Sequence, residues 1–253
     1  MKIYAEKDYQ KMSLRAASII AAEVIRNPSC VLGLATGSSP EGTYRELIRL
    51  HQEGLVTFRD VQTVNLDEYY GLSPEHEQSY RYFMQKHFFD HVDIVPENTS
   101  VPDGLAEDPA QECETYDMSI DLMGGIDLQL LGVGRNGHIG FNEPGDCFIR
   151  DPHLVDLTEG TIEANARFFE KKEDVPKQAL TMGIGNIMSA GRVLLIASGQ
   201  EKAQALYDMV CGPITPRCPA SILQLHPDVV VVADEAALSL LKDSGVQMEE
   251  SFV

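Results

Sequence analysis

The sequence is poor in positive charge. It has 20 Lys and Arg residues against 39 Asp and Glu residues, which gives a formal net charge of −19 at pH 7. Nucleic acids and anionic membrane surfaces repel a chain of this sign, and no basic stretch offsets it, so we expect neither as a partner. An anionic small-molecule substrate would need a local cluster of positive side chains.

The chain also lacks the cysteine spacing of a disulfide framework or a zinc site. Its five cysteines include no CxxC pair, so we expect reduced thiols in a cytoplasmic protein and no metal. The N-terminal region has no long hydrophobic run, because Ser18 and Glu23 interrupt its apolar stretch at 16–25. This pattern predicts neither a signal peptide nor a transmembrane segment.

Short apolar runs alternate with longer amphipathic segments along all 253 residues. The runs VLGLA (31–35), VLLIA (193–197) and VVVVA (229–233) are continuously apolar, which is typical of strands in a buried parallel sheet. The pattern predicts one α/β domain over residues 1–253, with a doubly wound, mostly parallel sheet and helices on both faces. The other predicted strands are 2–4, 61–66, 127–132 and 153–157, and the predicted helices are 7–26, 41–51, 79–89, 109–123, 159–168 and 201–210.

The loop after the first apolar run has features of a phosphate-binding turn. Ligands of open parallel sheets lie beyond the carboxyl ends of the strands. Gly37 permits a tight turn, and Ser38 has capping-box spacing to Glu41, so we expect a helix to begin here with free N–H groups. Such a terminus attracts phosphate, although the Walker ending is missing and an ordinary capped turn fits equally well.

Two later loops carry groups suited to proton transfer. Asp67 and Glu68 follow the predicted strand at 61–66, where a partly desolvated carboxylate would gain basicity. The segment 132–145 is rich in glycine and places His138 five residues before Glu143, and a nearby carboxylate can orient an imidazole and stabilise its charge. Taken singly, the acids fit a solvated turn or helix cap better, and a lone histidine is more often structural; their positions at strand ends favour a functional role here.

Two basic residues are candidates for binding a phosphate in this acidic chain. Arg167 lies in ANARFF, and Lys202 follows VLLIASG at the start of a predicted helix. Arginine offers a forked contact and lysine a point charge. Either residue alone fits an ordinary surface charge better.

Taken together, these segments closely resemble the glucosamine-6-phosphate deaminase family. The resemblance is carried, in order along the chain, by LATGSSPEGTY (34–44), VNLDEYYGL (64–72), LLGVGRNGHIGFNEPG (130–145), ANARFF (164–169), ALTMGIGNIMSA (179–190) and SGQEKA (198–203). It implies a modified Rossmann-like fold and an enzyme that converts glucosamine 6-phosphate and water to fructose 6-phosphate and ammonia, without metal or other cofactor.

The resemblance also implies roles for individual residues. Asp67 corresponds to the proton shuttle between C2 and C1, and His138, supported by Glu143, to the acid/base that opens the pyranose ring. The phosphate cradle would comprise Thr36, Gly37, Ser38, Arg167 and Lys202. The residue types suit the chemistry, since one carboxylate can take the C2 proton and return it at C1 through an enolamine.

Two departures from the family pattern lead to further expectations. Asn136 stands where many relatives carry an aspartate; its amide oxygen can accept the His138 N–H but supplies no charge, so we expect Glu143 to take over more of the stabilisation of imidazolium. Residues 151–156 are apolar and acidic where regulated relatives have basic residues. We therefore expect hyperbolic kinetics in a monomer or small homo-oligomer, without an allosteric hexamer.

Three alternatives remain open on the sequence. A galactosamine-6-phosphate deaminase would differ in C4 epimer preference, which the residues separate poorly. A 6-phosphogluconolactonase would share the fold and the phosphate handling without needing Asp67 as a carbon-acid base. A non-catalytic sugar-phosphate sensor would be expected to lose acid/base residues and to carry a DNA-binding module, whereas this chain retains Asp67, His138 and Glu143.

Overall fold

The computed structural model describes residues 1–166, 169, 171–242 and 244–250. Its strands are β1 (Lys2–Glu6), β2 (Val31–Leu34), β3 (Gln62–Asn65), β4 (Asp67–Tyr69), β5 (Thr99–Ser100), β6 (Leu128–Leu131), β7 (His153–Asp156), β8 (Gln178–Thr181), β9 (Arg192–Ala197), β10 (Val229–Asp234) and β11 (Glu249–Glu250). Its helices are α1 (Tyr9–Arg26), α2 (Glu41–Gln52), α3 (Tyr80–His87), α4 (Pro109–Leu122), α5 (Glu159–Asn165), α6 (Ile184–Ser189) and α7 (Ala203–Cys211).

In the described residues, eight strands form a central sheet in the order β11-β1-β10-β9-β6-β2-β3-β5. Every neighbouring pair in this sheet is parallel. From β2 the chain moves toward β3 and β5, whereas from β6 it moves the opposite way, toward β9 and β10. Because such crossovers are right-handed, the two halves place their helices on opposite faces. The doubly wound α/β prediction is confirmed.

The central strands are buried as the continuous apolar runs predict. All four residues of β2 and all six of β10 are buried, and the side chains of Leu194, Leu195 and Val231 are fully inaccessible to solvent. Burial of one such side chain contributes about 1.5–3 kcal/mol. The apolar interior of the central sheet therefore gives the loops at its carboxyl edge a rigid base.

A second sheet, which the sequence analysis did not resolve, lies beside the first. It has the antiparallel order β4-β8-β7 and pairs Asp67 with Thr181. The segment at Asp67 is therefore a strand rather than the predicted loop. Burial explains the difference, since Tyr69 at the end of β4 packs against the rings of Tyr80 and Phe141.

A single residue, Leu66, joins β3 of the central sheet to β4 of the second sheet. Its backbone N–H donates to the carbonyl of Leu34 at the end of β2, 3.1 Å away. Its own carbonyl accepts the N–H of Met182, just after β8, at 2.7 Å. Leu66 is thus hydrogen-bonded to both sheets.

Most longer helices begin at a side-chain cap. Asp8, Ser79, Asp108 and Thr158 each accept a backbone N–H from the first turn of their helix. Helix α2 is different, because its N-cap residue is Pro40, whose side chain accepts no hydrogen bond. The predicted capping box of Ser38 and Glu41 is therefore wrong, although the predicted start of the helix is confirmed.

No helix in the described ranges is both long enough and apolar enough to cross a membrane.

Candidate active site

The candidate site lies where the winding of the central sheet reverses. The strands on either side of this point are β2 and β6, and the loops that follow them diverge from the same crevice, where ligands of such sheets bind. The two loops are adjacent, since a Cβ built on Gly132 would lie 3.9 Å from the Ser39 side chain. The glycine-rich loop and the predicted phosphate loop therefore border one crevice.

Asp67 is held at this crevice by β4 and is almost fully buried, with 7% of its surface exposed. Its Oδ2 lies 3.6 Å from the position of a Cβ on Gly140, so the acid faces the loop that carries His138. Within the described chain the carboxylate accepts no hydrogen bond. Burial, aided by the nearby charge of Glu68, raises the pKa of Asp67 to about 8.

The neighbouring acid, Glu68, has a different environment. Its carboxylate accepts the backbone N–H groups of Tyr69, Tyr80 and Arg81 at 2.8–2.9 Å, and it thereby holds the start of α3. Burial raises the pKa of Glu68, while these three N–H groups oppose the shift. Of the two adjacent acids, Glu68 is therefore structural, and Asp67 is the one available for proton transfer.

His138 and Glu143 form a pair inside the glycine-rich loop. Nδ1 of His138 lies 3.5 Å from Oε1 of Glu143, close enough for an ion pair when the ring is protonated, and it makes no hydrogen bond within the described chain. The ring packs onto Gly134, where a Cβ would come within 2.3 Å of the imidazole. Only glycine at position 134 permits this placement of the ring.

Glu143 is strongly stabilised as a carboxylate. Its burial favours the neutral acid, but the interaction with His138 beside it, together with hydrogen bonds from Thr161 and Asn136, outweighs burial and lowers the pKa of Glu143 to about 2. Asn136 donates from Nδ2 to Oε2 of Glu143 at 2.7 Å. Glu143 is therefore a permanent negative charge beside the imidazole.

The position of Asn136 corrects one sequence-based expectation. Its amide oxygen accepts the backbone N–H of His138 at 3.2 Å, not an N–H of the ring. Because the amide nitrogen is turned toward Glu143, the amide fixes the loop and the carboxylate instead of the imidazole tautomer. This arrangement leaves Glu143 as the group that faces the ring, as the sequence analysis expects.

Two threonines at the start of α5 were not identified from the sequence. The hydroxyl of Thr161 donates a short hydrogen bond to Oε1 of Glu143, and the hydroxyl of Thr158 lies 3.5 Å from the same atom. A threonine just before a predicted helix is a recognisable N-cap. Its reach to Glu143 depends on tertiary contacts, which no local pattern encodes.

The glycine-rich loop is also anchored to the second sheet. Asn142 donates from Nδ2 to the carbonyls of Ile139 and Met182 at 3.0 and 2.8 Å. The hydroxyl of Thr181 accepts the backbone N–H of Phe141 at 3.1 Å. These bonds hold the loop against β8 and hence against Asp67, which pairs with Thr181.

The predicted phosphate-binding residues fall into three groups. Thr36, Gly37 and Ser38 lie together in the loop after β2, where Gly37 has φ of +88°. Lys202 ends the 3-10 turn Gln200–Lys202 after β9, directly before α7. Arg167 lies outside the described residues.

The loop before Lys202 is held by Asp234, at the carboxyl end of β10. The Asp234 carboxylate is 7% exposed and accepts the Ser198 hydroxyl and the N–H groups of Gly199 and Ala237. Sequence reasoning missed this residue. Its position after the apolar run VVVVA, at the ligand edge, was a usable signal.

A cavity of about 500 Å³ lies beside Glu68, outside the group formed by Asp67 and His138. It is bordered by Glu68, Arg81, Thr99 and Tyr116, and it includes neither Asp67 nor His138. Among the described residues, no group of three or more His, Cys, Asp and Glu side chains could hold a metal ion.

Comparison with known proteins gives consistent matches over nearly the whole chain. The family described as glucosamine-6-phosphate isomerases/6-phosphogluconolactonase matches residues 5–232. A glucosamine-6-phosphate deaminase of Clostridioides difficile is 55% identical over 241 residues, covering 95% of this chain and 97% of that protein. One of Thermoanaerobacter pseudethanolicus is 48% identical over 253 residues, covering both chains completely.

Solved structures agree with these matches. A monomeric glucosamine-6-phosphate deaminase superposes with a TM-score of 0.93 at 49% identity, covering 95% of this chain and 100% of that one. The 6-phosphogluconolactonase of Trypanosoma brucei has a TM-score of 0.75 at 19% identity, covering 95% and 98%. The second likeness concerns the fold alone.

Proposed function

Because the chain belongs to the glucosamine-6-phosphate isomerase/6-phosphogluconolactonase family, we propose that it converts glucosamine 6-phosphate and water to fructose 6-phosphate and ammonia. The observation that carries this proposal is a buried carboxylate, Asp67, with a raised pKa, facing a loop that holds His138 beside the permanent charge of Glu143. Identities of about half or more to deaminases over nearly the full chain support it.

Ring opening is assigned to His138. The step moves a proton between the O1 hydroxyl and the ring oxygen of the pyranose, which suits an imidazole. Glu143 lies 3.5 Å from Nδ1 and remains ionised, so it stabilises the imidazolium that forms when the ring takes up the proton. Asn136 and Thr161 keep the carboxylate in place for this task.

Isomerisation is assigned to Asp67. As a carboxylate it removes the C2 proton of the open-chain amino sugar, and as an acid it returns that proton to C1 of the enolamine. A raised pKa suits both halves of this transfer, because the group gives up and takes up a proton near neutral pH. Water then attacks C2 of the imine, and collapse of the adduct gives the ketone of fructose 6-phosphate and releases ammonia.

Substrate orientation is assigned to the phosphate loop and two basic residues. Thr36, Gly37 and Ser38 precede α2, whose positive N-terminal dipole attracts an anion. Lys202 and Arg167 would add positive charge, which an anionic substrate needs in a chain with a net charge of −19. Metals and other cofactors are not part of this proposal.

The lactonase alternative fits the site less well. Lactone hydrolysis needs no base that removes a proton from carbon, whereas the burial and raised pKa of Asp67 suit such a base. The lactonase structures are also at most 20% identical to this chain among the matches compared. Galactosamine 6-phosphate remains a second substrate to test.

The proposal also covers domain organisation, oligomeric state and cellular location. We propose one domain over residues 1–253 that acts in the cytoplasm as a monomer or small oligomer with hyperbolic kinetics. The likeness to a monomeric deaminase supports this. Residues 151–156 offer His153 and two acids, Asp151 and Asp156, rather than a cluster of cations for a phosphorylated activator. Sigmoidal kinetics relieved by N-acetylglucosamine 6-phosphate would contradict it.

The decisive experiment compares three substrates on the purified protein. Ammonia release should occur with glucosamine 6-phosphate, its rate with galactosamine 6-phosphate measures the C4 epimer preference, and 6-phosphogluconolactone should not be hydrolysed above its spontaneous rate. The Asp67→Asn variant is the matched control and should release no ammonia. Absence of turnover with the wild-type protein, or unchanged turnover in the variant, would refute the proposed function.

A further inference from the structure

The loop from Thr36 to Pro40 is held from outside by a tyrosine of another helix. The N-cap residue of helix α2 accepts no side-chain hydrogen bond, and the N–H of Gly42 in its first turn donates to the hydroxyl of Tyr9 at 2.8 Å. Tyr9 is the first residue of α1 and comes 33 positions earlier. The same hydroxyl donates to the carbonyl of Ser38 at 2.9 Å. One oxygen therefore bridges the loop and the helix that follows it.

Close packing of α1 and α2 makes this bridge possible. Gly42 has no room for a side chain, because a Cβ there would lie 2.3 Å from Oγ of Ser13, one turn after Tyr9. At the other end of the loop, the buried hydroxyl of Tyr44 donates to the carbonyl of Ala35 at 2.6 Å. The loop is thus fixed at its start, within its turn and at the beginning of α2.

The bond to Ser38 sets the direction of a peptide group. The structure contains no cis peptide bond in the described chain, so the carbonyl of Ser38 and the N–H of Ser39 point in opposite directions. The carbonyl faces the Tyr9 hydroxyl on α1, and the N–H consequently points away from α1. The Ser39 side chain itself lies beside Gly132 of the glycine-rich loop, on the side of the crevice.

From this geometry we propose that Tyr9 is a positioning residue of the phosphate site: its hydroxyl fixes the Ser38–Ser39 peptide so that the loop presents N–H donors to the substrate phosphate. The inference rests on the proposed function, since it assigns the loop to phosphate. Tyr9 touches neither the substrate nor the groups that transfer protons. Its contribution is to hold the loop in its binding conformation before the anion arrives, so that less conformational entropy of the loop is lost on binding.

The test is the Tyr9→Phe variant, which removes one oxygen and keeps the ring. The KM for glucosamine 6-phosphate and the inhibition constant of inorganic phosphate should rise together by about tenfold, as expected for the loss of one or two hydrogen bonds. The value of kcat should stay within about twofold. Tyr207→Phe is the matched control, since Tyr207 is 38% exposed on α7 and its hydroxyl makes no hydrogen bond in the described chain.

Three other outcomes would contradict the proposed role of Tyr9. Unchanged KM and phosphate inhibition, or a fall in kcat alone, would overturn the role of Tyr9. A lower melting temperature with unchanged kinetics would also overturn it, because that result marks a purely structural tyrosine. If the wild-type protein releases no ammonia, the proposed function fails, and phosphate-binding isotherms of wild-type and Tyr9→Phe proteins still decide whether the hydroxyl prepares the loop for an anion.

Discussion

The raised pKa of Asp67 predicts a specific acid limb in the pH profile. Asp67 must be ionised to take the C2 proton, and burial, reinforced by the charge of Glu68, raises its pKa to about 8. At pH 7 about one carboxylate in ten is then ionised, so kcat/KM should increase roughly tenfold between about pH 6 and 7 and level off above about pH 8.5. Initial rates of ammonia release at low substrate concentration measure this profile in the free enzyme.

A single substitution separates this limb from the titration of other groups. Glu68→Gln removes the charge that adds to the effect of burial, so the limb assigned to Asp67 should shift to lower pH. A limb that belongs to His138 should not shift in the same way, because Glu68 is structural and bonds to backbone N–H groups of α3. A wild-type profile that is flat between about pH 6 and 8, or one that Glu68→Gln leaves in place, would refute the assignment of the limb to Asp67.

Three further substitutions have directional outcomes. The Asp67→Asn variant should be inactive, yet it should melt at a higher temperature than wild type, and the difference should be larger at pH 9 than at pH 5. The pKa of Asp67 is raised in the folded state, so the buried charge destabilises the wild-type protein fully only above about pH 8. Equal melting temperatures at pH 9 would contradict this. The Glu143→Gln variant should lose at least tenfold in kcat and show an altered pH profile. Because the pKa of Glu143 is lowered to about 2, the stability lost in this variant should be largest above about pH 4.5 and shrink toward pH 2; an unchanged rate and profile would reject its role beside His138. The Asp234→Ala variant leaves three donors without an acceptor and should lower the free energy of unfolding, measured in urea, by about 2–4 kcal/mol. The Asp234→Asn variant should have a free energy of unfolding between those of wild type and Asp234→Ala. A loss below about 0.5 kcal/mol in Asp234→Ala would contradict the importance of these bonds.

The sequence predicts the central sheet well because its strands are marked by continuous apolar runs. All seven predicted strands exist and six of them lie in the central sheet, where β9 and β10 match their runs to within one residue; the strand predicted at 153–157 is β7 of the second sheet. The second sheet was missed for a physical reason: β4 is only three residues long and contains two acids, and its burial comes from aromatic rings distant in sequence. Propensity has little weight where tertiary contacts decide the conformation.

The candidate site was likewise predictable in its residues but not in its hydrogen bonds. Residue type and position after a strand nominate Asp67, His138 and Glu143, the family resemblance assigns their roles, and the structure places their segments around one crevice. The detailed bonding could not be predicted, because it depends on orientation: the Asn136 oxygen meets a backbone N–H, and the hydroxyls of α5 reach the carboxylate from a separate element. No local pattern encodes the direction of a side-chain amide.

The bonds of Leu66 to both sheets have a consequence for substrate choice. The N–H of Leu66 is tied to Leu34, two residues before the phosphate loop begins, and the carbonyl of Leu66 is tied to Met182, while Asp67 is the next residue along the chain. The distance from the phosphate loop to Asp67 is thus fixed by backbone hydrogen bonds. If the loop binds phosphate as proposed, we expect a phosphorylated sugar one carbon shorter to be turned over more slowly, because it would not extend from the loop to the base.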